Sequence, residues 1–202
     1  MRLASLGHIN ACIAHGISIA ILLAPDIFAS ISMDSNTPHS YTLRHHRPGD
    51  MGWIIHRHGT LYAQEYGWTE RFEALVAGVT VDFIEHYDPT CERCWIAERD
   101  GEFLGCVMLI KDRTCDGADV AKLRLLLVEP SARGLGLGRA LIRQCTDFAR
   151  GAGYARIRLW TNGVLESARR LYEREGYRLI SSEADDKLGF QSVGEYWELV
   201  LE

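Results

Sequence analysis

Residues 123–138, LRLLLVEPSARGLGLG, restrict most tightly what this chain can become. The apolar run from Leu123 to Val128 reads as a buried strand. Pro130 closes it, because proline has no N–H to give to a ladder. Arg133-Gly134-Leu135-Gly136-Leu137-Gly138 then leads into a helical pattern. Leu141, Ile142, Cys145, Phe148 and Ala149 share one face, and Gly151 and Gly153 mark the stop. A strand running through glycines into a helix N-terminus suits an anion. The first-turn N–H groups lack intrahelical partners, and glycine lets the backbone approach a phosphate closely.

Several nucleotide and cofactor folds share that arrangement, so spacing must separate them. A dinucleotide fold needs G-x-G-x-x-G, and a Walker loop needs G-x-x-x-x-G-K-[S/T]. Residues 133–138 fit neither, and no Lys-Ser or Lys-Thr pair follows. A glycine turn without a ligand is the competing reading. Downstream, Arg156 to Thr161 alternates as a strand and Asn162-Gly163 turns the chain. A short helix is expected from Leu165 to Glu175, with Ala168, Leu171 and Tyr172 inward and Gly176 as its cap.

The chain has 202 residues, enough for one domain with a small appendage. Its 27 acidic residues against 22 Lys and Arg give a formal net charge of -5, which argues against nucleic acid as a partner. Glu65, Glu70, Glu73 and Glu85 precede the glycine loop, and Glu183, Asp185 and Asp186 come after it. That acidity suits an amine acceptor, and solubility explains it equally well. The six cysteines form no framework, so reduced thiols and a cytoplasmic setting are expected. Cys91-Glu92-Arg93-Cys94 invites a zinc or redox reading. It has no second C-x-x-C and stands before a strand rather than at a helix start, so ordinary thiols and no metal are expected.

Residues 1–32 differ in character from the rest of the chain. Their apolar core, Ile17 to Ala24, is too short to span a bilayer, and Arg2 gives only a thin basic region for a signal peptide. They are expected to be an extension that activity does not need, with a membrane or export role as the rival reading. Beyond them, Tyr41 to His45 reads as a strand and Met51 to Gly59 as a short helix, in which His56 and His58 are taken as structural or exposed, with one of them lining the acceptor pocket as the lesser alternative. Phe72, Leu75, Val76, Val79, Phe83 and Ile84 mark an amphipathic helix from Glu70 to near Tyr87. Cys94 to Arg99 and Glu102 to Lys111 form a hairpin turned at Asp100-Gly101, and Asp112 to Ala118 is a polar loop. After Gly176, Tyr177 to Ser181 reads as a strand, Ser182 to Gly194 as a loop, and Glu195 to Leu201 as the last strand.

The stretch from Leu123 to Tyr177 resembles the GNAT N-acetyltransferase superfamily. That family's pyrophosphate motif, Q/R-x-x-G-x-G/A, is matched by Arg133, Gly136 and Gly138. Its helix ending Y-E-x-x-G-[FY] is matched by Tyr172-Glu173-Arg174-Glu175-Gly176-Tyr177. The order of elements agrees over about residues 41–201. The resemblance implies an α/β (α+β) fold, with a mixed, mostly antiparallel central sheet flanked by helices, for a domain at residues 40–202. Residues 58–83 further resemble the acetyltransferase half of proteins that fuse a MarR-type regulator to a GNAT domain, with no DNA binding carried over.

The resemblance also implies roles. Gly134, Gly136 and Gly138, with the Arg139 amide, would cradle the pyrophosphate of acetyl-CoA, and Arg133 would add charge. The backbone of Leu127 and Val128 would pair with the pantetheine arm, and the Val128 N–H would polarise the thioester carbonyl. Asn162 resembles an asparagine that contacts the cofactor arm. Tyr172 matches the general acid, with a core aromatic as the alternative. The base stays open among Glu129, Glu85, His86 and ordered water, while Tyr62, Tyr66, Trp68, Phe83 and Tyr87 are candidates to shape specificity. The implied activity is N-acetylation of a small amine or amino-acid-like acceptor. Protein N-termini or lysines, or a non-catalytic acyl-CoA sensor, are the rivals. No nucleic acid or membrane partner is expected, and a homodimer is left open.

Overall fold

A computed structural model describes residues 41–114, 119–186, 188 and 190–202. The expected extension at residues 1–32, Cys12 and Cys115 lie outside the described residues, as does part of the polar loop after Asp112. In chain order the elements are β1 (Thr42–His45), α1 (Asp50–Tyr66), α2 (Glu70–His86), β2 (Arg93–Arg99), β3 (Glu102–Lys111) and β4 (Val120–Val128). A single 3-10 turn at Pro130–Ala132 comes next. Then come α3 (Leu137–Gly151), β5 (Arg156–Asn162), α4 (Glu166–Arg174), β6 (Arg178–Asp185) and β7 (Ser192–Val200).

The strands form one sheet in the order β1-β2-β3-β4-β5-β7-β6. All neighbours are antiparallel except β4 and β5. This is the mixed, mostly antiparallel sheet flanked by helices that the family resemblance implies. Each face of the sheet buries one cluster. Leu137, Leu141, Ile142 and Cys145 of α3 pack on Val107, Leu109, Leu123 and Ile157. On the other face, Ile54 and Leu61 of α1 and Phe72, Val76 and Phe83 of α2 pack on Ile96, Cys106 and Met108. β3 therefore reads as a near-continuous apolar run, since both of its faces are covered. Among the described residues no helix is long and apolar enough to cross a membrane.

Two elements run longer than their sequence signals. The helix expected at Met51–Gly59 continues to Tyr66, where Gly67 adopts a left-handed conformation and returns its N–H to Ala63 O. Gly59 is no stop. It lets α1 approach α2, and a Cβ there would lie 3.1 Å from the Glu73 carboxyl carbon. β6 extends past Ser181 to Asp185 and β7 begins at Ser192, so most of the expected loop at 182–194 is ladder. β6 is an edge strand exposed along nearly all its length, so no apolar alternation announces it.

The feature that places the site is a bulge in β4. Cys106 faces Leu127 and Met108 faces Arg124, leaving both Leu125 and Leu126 opposite Val107. Leu125 takes a positive φ of 50°, a conformation a leucine holds only under tertiary constraint. Its carbonyl accepts the Cys106 thiol at 3.2 Å, and its side chain joins the α1/α2 cluster while Leu126 joins the opposite one. Bent in this way, β4 pairs with β5 only from Val120 to Lys122. Beyond Lys122 the two parallel strands part.

Candidate active site

The larger of two cavities, about 740 Å³, lies where β4 ends and α3 begins. Leu127, Val128, Arg133, Gly134, Gly136, Gly138 and Arg139 all line it, so seven of the eight residues expected at a cofactor lie together. Gly134 and Gly136 sit at φ of 78° and 76°, and Gly136 caps α3 with no side-chain hydrogen bond. Within the described residues, the backbone N–H groups of residues 134–139 donate to no carbonyl, and the first helical bond at this end is Ala140 N to Gly136 O, 3.1 Å. No acidic residue occupies the first turn. Unspent donors of this kind at a helix N-terminus suit an anion. Gly138 is glycine for another reason: a Cβ there would meet Leu171 of α4 at 3.0 Å.

Glu129 N–H donates to Leu104 O on the β3 side at 2.8 Å. Strand alternation therefore turns the neighbouring Val128 N–H toward the gap that β5 vacates. At the rim, Arg133 is half exposed and pairs with Glu65 at 2.7 Å. Arg139 and Arg143 share Glu175 at 2.7 and 3.1 Å.

The smaller cavity, about 500 Å³, lies between the parted strands, lined by Lys122 to Leu126 of β4 and Arg158 to Asn162 of β5, and shares Tyr62, Leu126, Leu165 and Ala168 with the first. Tyr172 lines this cavity and is otherwise buried against Tyr177 and Trp197. Burial raises its pKa above the usual 10, so its phenol keeps its proton at neutral pH. The same holds for Tyr62, whose titration is further raised by Tyr172 and Tyr66. Asn162 lines this cavity rather than the larger one. Its Oδ1 accepts from Val164 N at 3.2 Å and its buried Nδ2 has no partner. Trp68 also lines the smaller cavity, Tyr66 lines the larger, and Phe83 and Tyr87 line neither.

The groups weighed as a base are held elsewhere. Glu129 is gripped at both carboxylate oxygens by Arg57, at 2.6 and 2.7 Å. Glu85 and His86 line neither cavity, and His86 pairs with Asp82 at 3.1 Å. Of the acidic residues noted in the sequence, Glu65 lines the larger cavity, where it is paired with Arg133, and Glu70, Glu73, Glu85, Glu183, Asp185 and Asp186 line neither. Cys91 and Cys94 pack into clusters on opposite faces of the sheet.

Arg124, given no role from the sequence, and His58, one of the two histidines weighed there as a pocket residue, stand in the smaller cavity. His58 is 2% exposed and stacks on Tyr62, with ring centres 5.9 Å apart. Its Nδ1 lies 2.8 Å from Ile54 O, a carbonyl that only accepts, so Nδ1 carries the proton. Nε2 is left as a buried lone pair without a partner. Burial lowers the His58 pKa from 6.5 to about 4. As pH falls from 6.5 toward 4, the unfolded chain takes up a proton that the folded chain refuses, so stability is lost across that window. The loss from this group is on the order of 3 kcal/mol. Unfolding midpoints at pH 7 and pH 4.5 should therefore differ less for His58→Gln than for the parent. Parallel falls in the two proteins would contradict this.

A model described as the acetyltransferase (GNAT) family matches residues 52–177. Among curated proteins, the chain is 32% identical over 98 residues to a mycothiol acetyltransferase of Beutenbergia cavernae, covering 48% of this chain and 32% of that one. It is 29% identical over 116 residues to human N-acetyltransferase 8B, covering 55% of this chain and 50% of that one. The matched stretch thus spans half or less of these two relatives. With YjgM, an uncharacterized N-acetyltransferase of Escherichia coli, identity is 31% over 117 residues, 57% of this chain and 70% of the other. Among solved structures, yncA of Salmonella typhimurium, determined with its cofactor acetyl-CoA, has a TM-score of 0.65 at 18% identity, covering 81% of this chain and 95% of that one. A GCN5-related N-acetyltransferase from Kribbella flavida also has a TM-score of 0.65, at 23% identity and 82% and 100% coverage. At such identities the structural likeness speaks for the fold alone. The family model covers more than half of the chain, and this chain therefore belongs to the acetyltransferase (GNAT) family.

Proposed function

We propose that the chain is an acetyl-CoA-dependent N-acetyltransferase whose acceptor is a small amine or amino-acid-like compound. One observation carries this reading: a cavity ending at unspent backbone amides meets, where β4 and β5 part, a second cavity lined by Tyr172. The residues fit the cofactor, since free amides with positive-φ glycines suit a pyrophosphate and an open strand edge suits an amide-bearing arm. When bound, acetyl-CoA supplies an acetyl thioester whose carbonyl carbon exchanges its bond to sulfur for one to the amine nitrogen.

The chain's own groups divide the remaining work. The amides of residues 134–139 hold the pyrophosphate, with Arg133 and Arg139 adding charge at the rim. Leu127 and Val128 present backbone to the pantetheine arm, and the Val128 N–H stabilises charge developing on the carbonyl oxygen. Asn162 Nδ2 donates to the arm from the far side of the gap. Tyr172 gives its proton to the departing sulfur. The likeness of residues 58–83 to regulator fusions bears on α1 and α2 as a cavity wall and on nothing else. The expected cytoplasmic setting belongs to the same reading, and the buried free cysteines Cys94, Cys106 and Cys145 support it.

Thiol release from acetyl-CoA across amino acids, polyamines, aminoglycosides and short peptides tests the proposal. Turnover with small amines is expected. Preference for peptides would move the acceptor to proteins, and cofactor binding without any turnover would replace the enzyme by a sensor. We also propose that residues 1–32 take no part in turnover, so a chain lacking them should release thiol at the parental rate. A loss of activity on that deletion would make them part of the domain.

A further inference from the structure

The smaller cavity carries three basic side chains on the strands that part, and two of them are already neutralised. Lys122 pairs with Asp112 at 2.7 Å, and Arg158 pairs with Glu198 at 2.8 Å. Arg124 has no ion pair or hydrogen bond from its guanidinium among the described residues. Asp82 and Asp112 reach it only by charge at longer range, and each is engaged by another residue. Alternation from Leu123, which packs on the α3 side, puts Arg124 on the α1/α2 face, and the bulge then keeps Leu125 on that same face. Arg124 is half-buried, and taking an arginine even partly out of water without a counter-charge is costly. Burial accordingly lowers the Arg124 pKa. A side chain held in this way is suited to an anion that arrives with the ligand.

Two further groups lining this cavity have no partner among the described residues: Asn162 Nδ2, a donor assigned above to the cofactor arm, and His58 Nε2, a lone-pair acceptor. A bare cation and a bare acceptor, set between the apolar walls of Trp68, Phe72 and Leu75, form a complementary pattern. An amine without an anionic group would answer only one of the two and would be repelled by the other. We infer that the acceptor is an amino acid with an apolar or aromatic side chain, its carboxylate on Arg124 and its amino N–H on His58 Nε2. This rests on the acetyltransferase reading and narrows it, disfavouring polyamines and aminoglycosides. Arg124 is then a specificity residue, and His58 Nε2, which burial keeps unprotonated, orients the amine by accepting its N–H. The volume of about 500 Å³ is within the ordinary range for a small-molecule site.

The test is thiol release with paired acceptors: L-phenylalanine against phenethylamine, and L-leucine against isoamylamine, each pair sharing a side chain and an amine. For the parent protein kcat/KM should favour the amino acid by at least about a hundredfold. Arg124→Gln should lower the amino-acid value by about a hundredfold, mostly through KM, and leave that of the decarboxylated amine within about threefold. Arg124→Lys, which keeps charge but loses the fork, should fall between. Circular dichroism of each variant checks folding. Equal use of the two members of each pair, or a loss in Arg124→Gln that is the same for both, would overturn the inference while leaving an acetyltransferase. If neither member is turned over by protein that acetylates another amine, the inference falls and the acetyltransferase reading stands; if no amine is turned over by protein that binds acetyl-CoA, the acetyltransferase reading falls. Calorimetric titration with L-phenylalanine then decides the site: heat seen in the parent and lost in Arg124→Gln keeps the carboxylate on Arg124, and no heat in the parent removes it.

Discussion

Replacing Gly136 with valine is expected to raise the KM for acetyl-CoA by about 10²- to 10⁴-fold while leaving the protein folded. The two effects have separate causes. No atom lies within 4 Å of a Cβ built at Gly136, so the protein has room for the side chain. The cost to the fold comes from a β-branched residue held at φ 76°, about 1–3 kcal/mol against a typical total of about 5–15. The added methyls would project beside the unspent amides, into the space assigned to the pyrophosphate. Loss of two hydrogen bonds to a charged group costs about 3–6 kcal/mol, which sets the range given for KM. Gly151→Ala is the control. It sits at the far end of α3 with open space around it and without a positive φ, and KM should stay at the parental value. A folded Gly136→Val protein with a normal KM would remove the loop from the cofactor site.

Tyr172→Phe is expected to lower kcat by about a hundredfold with little change in KM for either substrate. Phenylalanine keeps the ring that packs on Tyr177 and Trp197, so stability should change little and the hydroxyl alone is tested. The pH profile separates an acid from a packing residue. Burial holds the Tyr172 pKa above the ordinary tyrosine value of 10, so this acid keeps its proton through neutral and mildly basic pH. No decline in kcat from its ionisation should therefore appear below pH 10. Tyr62→Phe is the necessary companion, because Tyr62 lines both cavities and is also held protonated by burial. A large fall in kcat for Tyr62→Phe with none for Tyr172→Phe would transfer the acid role to α1.

The parts of this site that were legible in the sequence are those encoded by local backbone chemistry. Pro130, the glycines of residues 134–138 and the apolar face of α3 act within a few residues of one another, so strand, loop and helix could be read together. The bulge could not be read in that way. Leu125 is a poor choice for a left-handed conformation, and what holds it there is non-local: the Cys106 thiol on its carbonyl and two cores drawing Leu125 and Leu126 to opposite faces. Arg124 was hidden, and His58 was legible only as a lesser alternative, for related reasons. Taking Gly59 as a helix stop separated His58 from Tyr62, although the two stand one turn apart on the same face of α1. Arg124 looked like one interruption in LRLLLV. Its meaning depends on which carboxylates Lys122 and Arg158 find, and those lie on other strands and loops.

The central claim is that unspent amides between β4 and α3 hold acetyl-CoA, and amide hydrogen exchange tests it directly. In the free protein, the amides of residues 134–139 should exchange as unprotected groups, because no carbonyl accepts them. Saturating acetyl-CoA should slow exchange in peptides covering residues 123–139 and leave β6 unchanged. Protection confined to other segments, or none at all in a protein that binds the cofactor, would contradict the account.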